Sequence, residues 1–179
     1  HTPDIITTAK GLTSGYQPLS ATIVSDEIHE VISRPGAMFL HGMTYSGHPA
    51  AAAAGLANIT LMEKEQLPQR VRTTGKLFEN TLRDLADLDI VGEVRGSHFM
   101  MGIELVRDKE TKESFAPEDA VGLKVARAAQ KRGLIARPLG NILILSPTLI
   151  LNEAQIGRIG DILRDSIQEV TRDLLGPAH

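Results

Sequence analysis

The chain has 179 residues, 42% apolar and 23% charged, and its 19 Lys and Arg against 22 Asp and Glu leave a formal charge of −3. That near-neutral balance, with aromatics at only 3%, argues against nucleic acid as a partner, whether held by charge or by stacking. No apolar run approaches the ~20 residues of a membrane span, no secretory leader pattern opens the chain, and the lack of Cys removes disulfides, thiolate metal sites and a Cys nucleophile together; a cytoplasmic protein is expected.

The first predicted element is a buried strand over the β-branched run Asp4 to Ala9, ending at Lys10-Gly11. A turn-rich stretch, Thr13 to Pro18, leads to a second strand over Ser20 to Val24, and Ser25-Asp26-Glu27 can cap a short helix over Ile28 to Ile32. From His48-Pro49 an Ala-rich helix runs to about Glu65, with proline suited to its first turn. Val71, Thr74, Phe78, Leu82 and Leu85 share one face of the next stretch, about Pro68 to Asp87, which predicts an amphipathic helix. Strands are expected over Ile90 to Val94 and Phe99 to Val106, then a charged loop over Arg107 to Glu113 and a helix from Pro117 to Arg132, stopped by Gly133. Leu134 to Arg137 and Ile142 to Leu145 read as two further strands. A last helix from Asn152 carries Ile156, Ile159, Leu163, Ile167, Val170 and Leu174 at core spacing. Composition shifts near residue 60, from small and apolar to charged helices alternating with strands, so two modules are expected.

Three places carry chemistry, each with a plainer reading beside it. Lys10 stands at a strand end, where ligands collect in α/β folds. A desolvated lysine attacks carbonyls to give a Schiff base; the same position suits a lysine that only snorkels to solvent. In His41-Gly42-Met43-Thr44-Tyr45-Ser46-Gly47-His48-Pro49, hydroxyls and glycines precede a helix start, which suits phosphate or a plain cap by Ser46 or Gly47. His41 and His48 have no carboxylate cluster beside them, so no metal is expected. Arg137, among apolar and turn-forming neighbours, suits bidentate carboxylate binding or an ion pair with a helix acid. Arg95, in Val94-Arg95-Gly96-Ser97, is expected to hold a turn.

Taken together, Asp4-Ile5-Ile6-Thr7-Thr8-Ala9-Lys10-Gly11-Leu12 with Gly15-Tyr16-Gln17-Pro18-Leu19-Ser20-Ala21, the His41 to Pro49 run, Val94-Arg95-Gly96, Met101-Gly102-Ile103-Glu104-Leu105 and Ala136-Arg137-Pro138-Leu139-Gly140 resemble, in order and spacing, the class III (fold type I) aminotransferases that use pyridoxal 5'-phosphate. The resemblance implies an α/β fold: residues 1–58 as the end of the large cofactor-binding domain with the start of the interdomain helix, and 59–179 as the small C-terminal domain. It implies Lys10 as the Schiff-base lysine and proton carrier, Thr44 as a contact to the cofactor phosphate across a homodimer interface, and Arg137 as the mobile arginine that binds the substrate carboxylate. The wording around Thr44 and Arg137 leans toward the ω-amino acid:pyruvate type, a transaminase acting on an amine or ω-amino acid and a 2-keto acid. Semialdehyde aminomutases and diamine transaminases are alternatives within the family, and a non-catalytic interaction fragment is one outside it. Family members are more than twice this length, so the chain reads as a C-terminal part. The upstream half would carry the aspartate facing the pyridine nitrogen, the Gly-rich phosphate loop and the aromatic residue stacked on the ring.

Overall fold

Four consecutive β-branched residues, Ile5–Thr8, form strand β1, which pairs antiparallel with β2 (Ala21–Val24), Ile5 opposite Val24 and Thr8 opposite Ala21. The expectation of burial fails here: only Thr8 and Val24 are half-buried and the other residues of both strands are exposed. The ribbon has just two strands, too few to build a covered face on their own. Helix α1 (Asp26–Ile32) follows, with Asp26 and Glu27 in its first turn, where negative charge suits the helix dipole. Ser25 takes the cap position, and its carbonyl accepts from the His29 amide at 3.0 Å, but its hydroxyl makes no capping bond and is buried without a partner.

Helix α2 (Pro49–Lys64) begins with proline at its first turn, as predicted. Its cap is neither Ser46 nor Gly47. His48 Nδ1 accepts from the Ala51 amide at 3.4 Å, while Ser46 Oγ accepts from the Met43 amide at 3.1 Å inside the preceding loop. Of the buried apolar residues, only Ala51 belongs to this first unit, His1–Gln66. The computed structural model describes residues 1–175, and the second unit, Leu67–His179, is a separate body. The division falls beyond the end of α2, whereas a boundary at 58/59 lies within that helix.

In the second unit, helix α3 (Leu67–Arg83) buries Phe78 and Leu82, and the 3-10 turn after it buries Leu85, on the face that the spacing predicted. Strands β3 (Val91–Ser97), β4 (Met100–Leu105), β5 (Arg137–Leu139) and β6 (Ile142–Leu145) form an antiparallel sheet in the order β3-β4-β6-β5. Met101, Ile103, Leu105, Leu143 and Leu145 alternate onto its buried face. A register shift between Val91 and Glu93 lets Val91 and Val94 both turn inward despite their odd spacing.

The helix expected over 117–132 is interrupted. A 3-10 turn over Pro117–Asp119 ends at Ala120 in the left-handed conformation (φ 48), and helix α4 proper runs Val121–Lys131. At its far end the Leu134 amide bonds back to the Ala129 carbonyl at 3.0 Å around left-handed Gly133. That closure draws Leu134 out of the strand predicted for it, and β5 starts at Arg137. Helix α5 (Glu153–Leu175) opens on a reciprocal pair, Asn152 Oδ1 with the Gln155 amide at 2.9 Å and Gln155 Oε1 with the Asn152 amide at 3.0 Å. Ile156, Leu163, Ile167 and Val170 of α5 are buried in one cluster with Phe78, Leu82, Val121, Val125 and the inward strand residues.

Candidate functional site

Strand β1 stops at Thr8, and two residues later Lys10 enters the left-handed region (φ 50) and starts a 3-10 turn over Lys10–Leu12. The turn's own hydrogen bonds are long: Leu12 to Ala9 at 3.3 Å, Thr13 to Lys10 at 3.3 Å and Ser14 to Gly11 at 3.4 Å. Buried Thr13 closes the next turn by donating from Oγ1 to the Gln17 carbonyl at 2.5 Å. Asn58, from α2, donates through Nδ2 to the carbonyls of Gly11 (2.8 Å) and Leu12 (3.1 Å), and its Oδ1 accepts from Ser14 Oγ at 2.7 Å. Sequence reading missed Asn58. The available signal was an amide placed in the otherwise apolar run from Ala50 to Ile59.

Lys10 lines a cavity of about 600 Å³ with Gly15, Gln17, Pro18, Leu19 and Ser20. It is exposed and not desolvated at the strand end, and its amine makes no hydrogen bond or ion pair among the described residues. Thr44 stands in the loop before α2 and lines a second cavity of about 550 Å³ with Met43, Tyr45, Ser46, Gly47 and the same Pro18–Ser20 segment. Its hydroxyl is likewise without an intrachain partner among the described residues, whereas Ser46 is already engaged. Lys10 and Thr44 therefore line two hollows that share the Pro18–Ser20 segment.

Arg137 lies in the second unit at the first residue of β5, opposite Ile144. It is exposed and forms no ion pair among the described residues, so the helix acid weighed against it in the sequence is absent. Arg95 does not hold a turn. It sits in β3 with Nη1 on Glu93 at 3.0 Å and on Glu104 of β4, a cross-strand pairing that raises the guanidinium pKa above its ordinary value. The β3–β4 turn is held instead by Arg83, which donates to the carbonyls of Val94 (3.1 Å) and Gly96 (3.2 Å).

Glu79, 5% exposed, gathers Lys76 Nζ at 2.9 Å, the His98 amide at 3.1 Å and Arg83 Nε at 3.0 Å. These donors, Lys76 foremost, hold its carboxyl at about 2, well below the usual carboxylate range. Ser97 Oγ lies 2.6 Å from His98 Nδ1, and Glu79 is 4.0 Å from that same nitrogen. A nucleophile relay needs the hydroxyl and the carboxylate on opposite ring nitrogens, so this cluster joins a helix to a hairpin and does no acyl chemistry.

Residues 1–167 match the family described as Aminotransferase class-III. An adenosylmethionine-8-amino-7-oxononanoate aminotransferase of Methanocaldococcus jannaschii is 42% identical over 93% of this chain and 37% of its own length. A putrescine–pyruvate aminotransferase of Pseudomonas aeruginosa is 38% identical over 97% of this chain and 38% of its own length. Among solved structures, a thermostable (S)-enantioselective omega-transaminase of Thermomicrobium roseum superposes with a TM-score of 0.85 at 39% identity, over 98% of this chain and 38% of that one. The chain thus spans under two-fifths of the length of the relatives it matches. No helix among the described residues is long and apolar enough to cross a membrane.

Proposed function

The chain belongs to the class III aminotransferases, with the fold type I architecture of its structural neighbours, and from that premise we propose that its protein moves an amino group from an amine or ω-amino acid to a 2-keto acid such as pyruvate. The first unit serves as the end of the large cofactor-binding domain and the second as the small domain. The observation that carries the reading is Lys10: a primary amine with no partner among the described residues, on a left-handed turn at the rim of a cavity.

The donors in this chain fit pyridoxal 5'-phosphate, the Lys10 amine for the aldehyde of the subunit's own cofactor and the Thr44 hydroxyl for the phosphate of its neighbour's. Bound there, the cofactor supplies the electron sink for breaking a bond at the substrate carbon. Lys10 contributes Nζ, which holds the cofactor and then carries a proton to and from that carbon. On the same family reading, Thr44 anchors the phosphate of the neighbouring subunit's cofactor across a homodimer interface. Arg137, exposed and without an ion pair among the described residues, clamps the substrate carboxylate through a bidentate pair.

The likeness to the 8-amino-7-oxononanoate enzyme favours a second reading, in which the acceptor is a larger keto compound. Single-turnover reactions with pyruvate and with 8-amino-7-oxononanoate, each after loading with an amine donor, separate the two. In the full-length protein, borohydride reduction should fix the cofactor on Lys10, and Lys10→Ala should abolish transamination with the fold intact. Recovery of the reduced cofactor on another lysine, such as Lys124 or Lys131, overturns the assignment.

A further inference from the structure

The Lys10–Leu12 turn is poorly able to hold itself. Its three internal bonds are at 3.3–3.4 Å, and Lys10 occupies a left-handed conformation that a non-glycine residue adopts only when its surroundings impose it. The shorter bonds to this turn come from Asn58. Its Nδ2 donates to the carbonyls of Gly11 and Leu12 at 2.8 and 3.1 Å, directly after Lys10, with Met62 Sδ a longer acceptor at 3.4 Å. Ser14 Oγ, donating to Asn58 Oδ1 at 2.7 Å, fixes which way that amide faces. Helix α2 also packs closely at Gly55, where a Cβ would stand 2.8 Å from Leu19 Cδ2 and that side-chain tip would have to turn aside.

We propose that Asn58 is a positioning residue for Lys10, its side-chain amide clamping the Lys10–Leu12 turn onto helix α2 and so setting where the Lys10 amine stands. This rests on the reading that Lys10 carries the cofactor. Asn58 touches the backbone of the turn and not the reacting atoms. Its effect should therefore appear as selectivity for Lys10 over the protein's other lysines, and not as general loss of cofactor.

The test uses the full-length protein loaded with pyridoxal 5'-phosphate. Lysine Nζ condenses with the aldehyde and releases water, and borohydride hydride then reduces the C=N bond to a stable secondary amine whose position is mapped by peptide mass. The wild-type protein comes first: label on another lysine defeats the functional reading itself and is separate from any result on Asn58. With wild-type label on Lys10, Asn58→Asp keeps size and shape but sets a carboxylate against two carbonyls. Asn58→Leu removes the donors without adding charge. Both should retain noncovalent cofactor through gel filtration and label Lys10 about tenfold more slowly, the effect of losing roughly two ordinary hydrogen bonds. Labelling of the remaining lysines should not change. Amide exchange at Leu12 and Thr13 should quicken while exchange along α5 stays as in the wild type. Ser14→Ala, which leaves the Asn58 donors but frees the amide to rotate, should show the same pattern more weakly. Wild-type labelling rates at Lys10 in a folded Asn58 variant overturn the proposal. So does equal slowing at every lysine, or loss of the fold in both variants.

Discussion

At the scale of single residues, the informative side chains are those with no partner inside the chain and those with too many. Arg137 is of the first kind. A ping-pong transaminase takes an amine and then a keto acid in one pocket, and a guanidinium free to swing accommodates both. Arg137→Ala should lower kcat/KM for pyruvate-type acceptors by about ten- to a hundredfold, the worth of a charge-assisted pair of roughly 1.5–3 kcal/mol. Amine donors without a carboxylate should change far less, and half-reactions with each substrate measure the difference; equal losses would make the residue structural. Glu79 is of the second kind. Its carboxyl titrates lower in the folded protein, so its stabilising effect is complete above about 4.5 and is lost as pH falls toward about 2. Thermal melts of Glu79→Gln and wild type should differ at pH 7 and converge as pH approaches 2; a constant gap across that range would show that the depressed pKa contributes nothing. Arg137 was legible because it stood alone among apolar neighbours. Glu79 was not: Lys76 and Arg83 stand within one helical turn of it, as beside many solvated helix acids, and the His98 amide that sets it apart comes from a hairpin that only folding brings there.

At the scale of elements, hydrophobic spacing located the long helices and the central strands but missed their junctions. Periodicity marks what a helix buries: Phe78 and Leu82 of α3 and Ile156, Leu163, Ile167 and Val170 of α5 are buried, whereas Val71, Thr74, Ile159 and Leu174 are half-buried. Helix ends are decided by individual backbone groups: an imidazole in place of a hydroxyl at α2, a left-handed alanine before α4, and the Leu134 amide turned back to close that helix. Close approach is similarly silent in sequence. Gly122 lets α4 press against the β5–β6 turn, where an added Cβ would meet the Gly140 carbonyl at 2.2 Å. Since the obstacle is backbone, it cannot rotate away, and Gly122→Ala should cost about 1–3 kcal/mol. Urea titration of the variant checks this; an unchanged midpoint would mean the helix shifts at no cost.

Across the whole molecule, the two units differ in what holds them. Nearly every buried apolar side chain belongs to the second unit, whereas the first has Ala51 alone and exposes Ile5, Ile6, Ile23, Met38, Phe39 and Leu40. The ordering entropy of 66 residues cannot be met by so little burial. Residues 67–179 expressed alone should melt cooperatively and remain monomeric by sedimentation, while residues 1–66 should show no cooperative transition. The 179-residue chain should associate as its concentration rises, through that exposed apolar surface. A cooperative melt from residues 1–66 would show that contacts other than apolar burial suffice there.

The strand order β3-β4-β6-β5 also has a consequence in time. Helix α3 and the β3–β4 hairpin are contiguous in the chain and already supply Phe78, Leu82, Val94, Phe99 and Ile103 to the core, so on a ribosome they can collapse together as soon as they emerge. The free edge of β4 must then wait through α4 and β5 before β6 arrives to pair with it. During that interval Met101 to Glu104 present unpaired amides and carbonyls, and the nascent chain is most exposed to mispairing along that one edge.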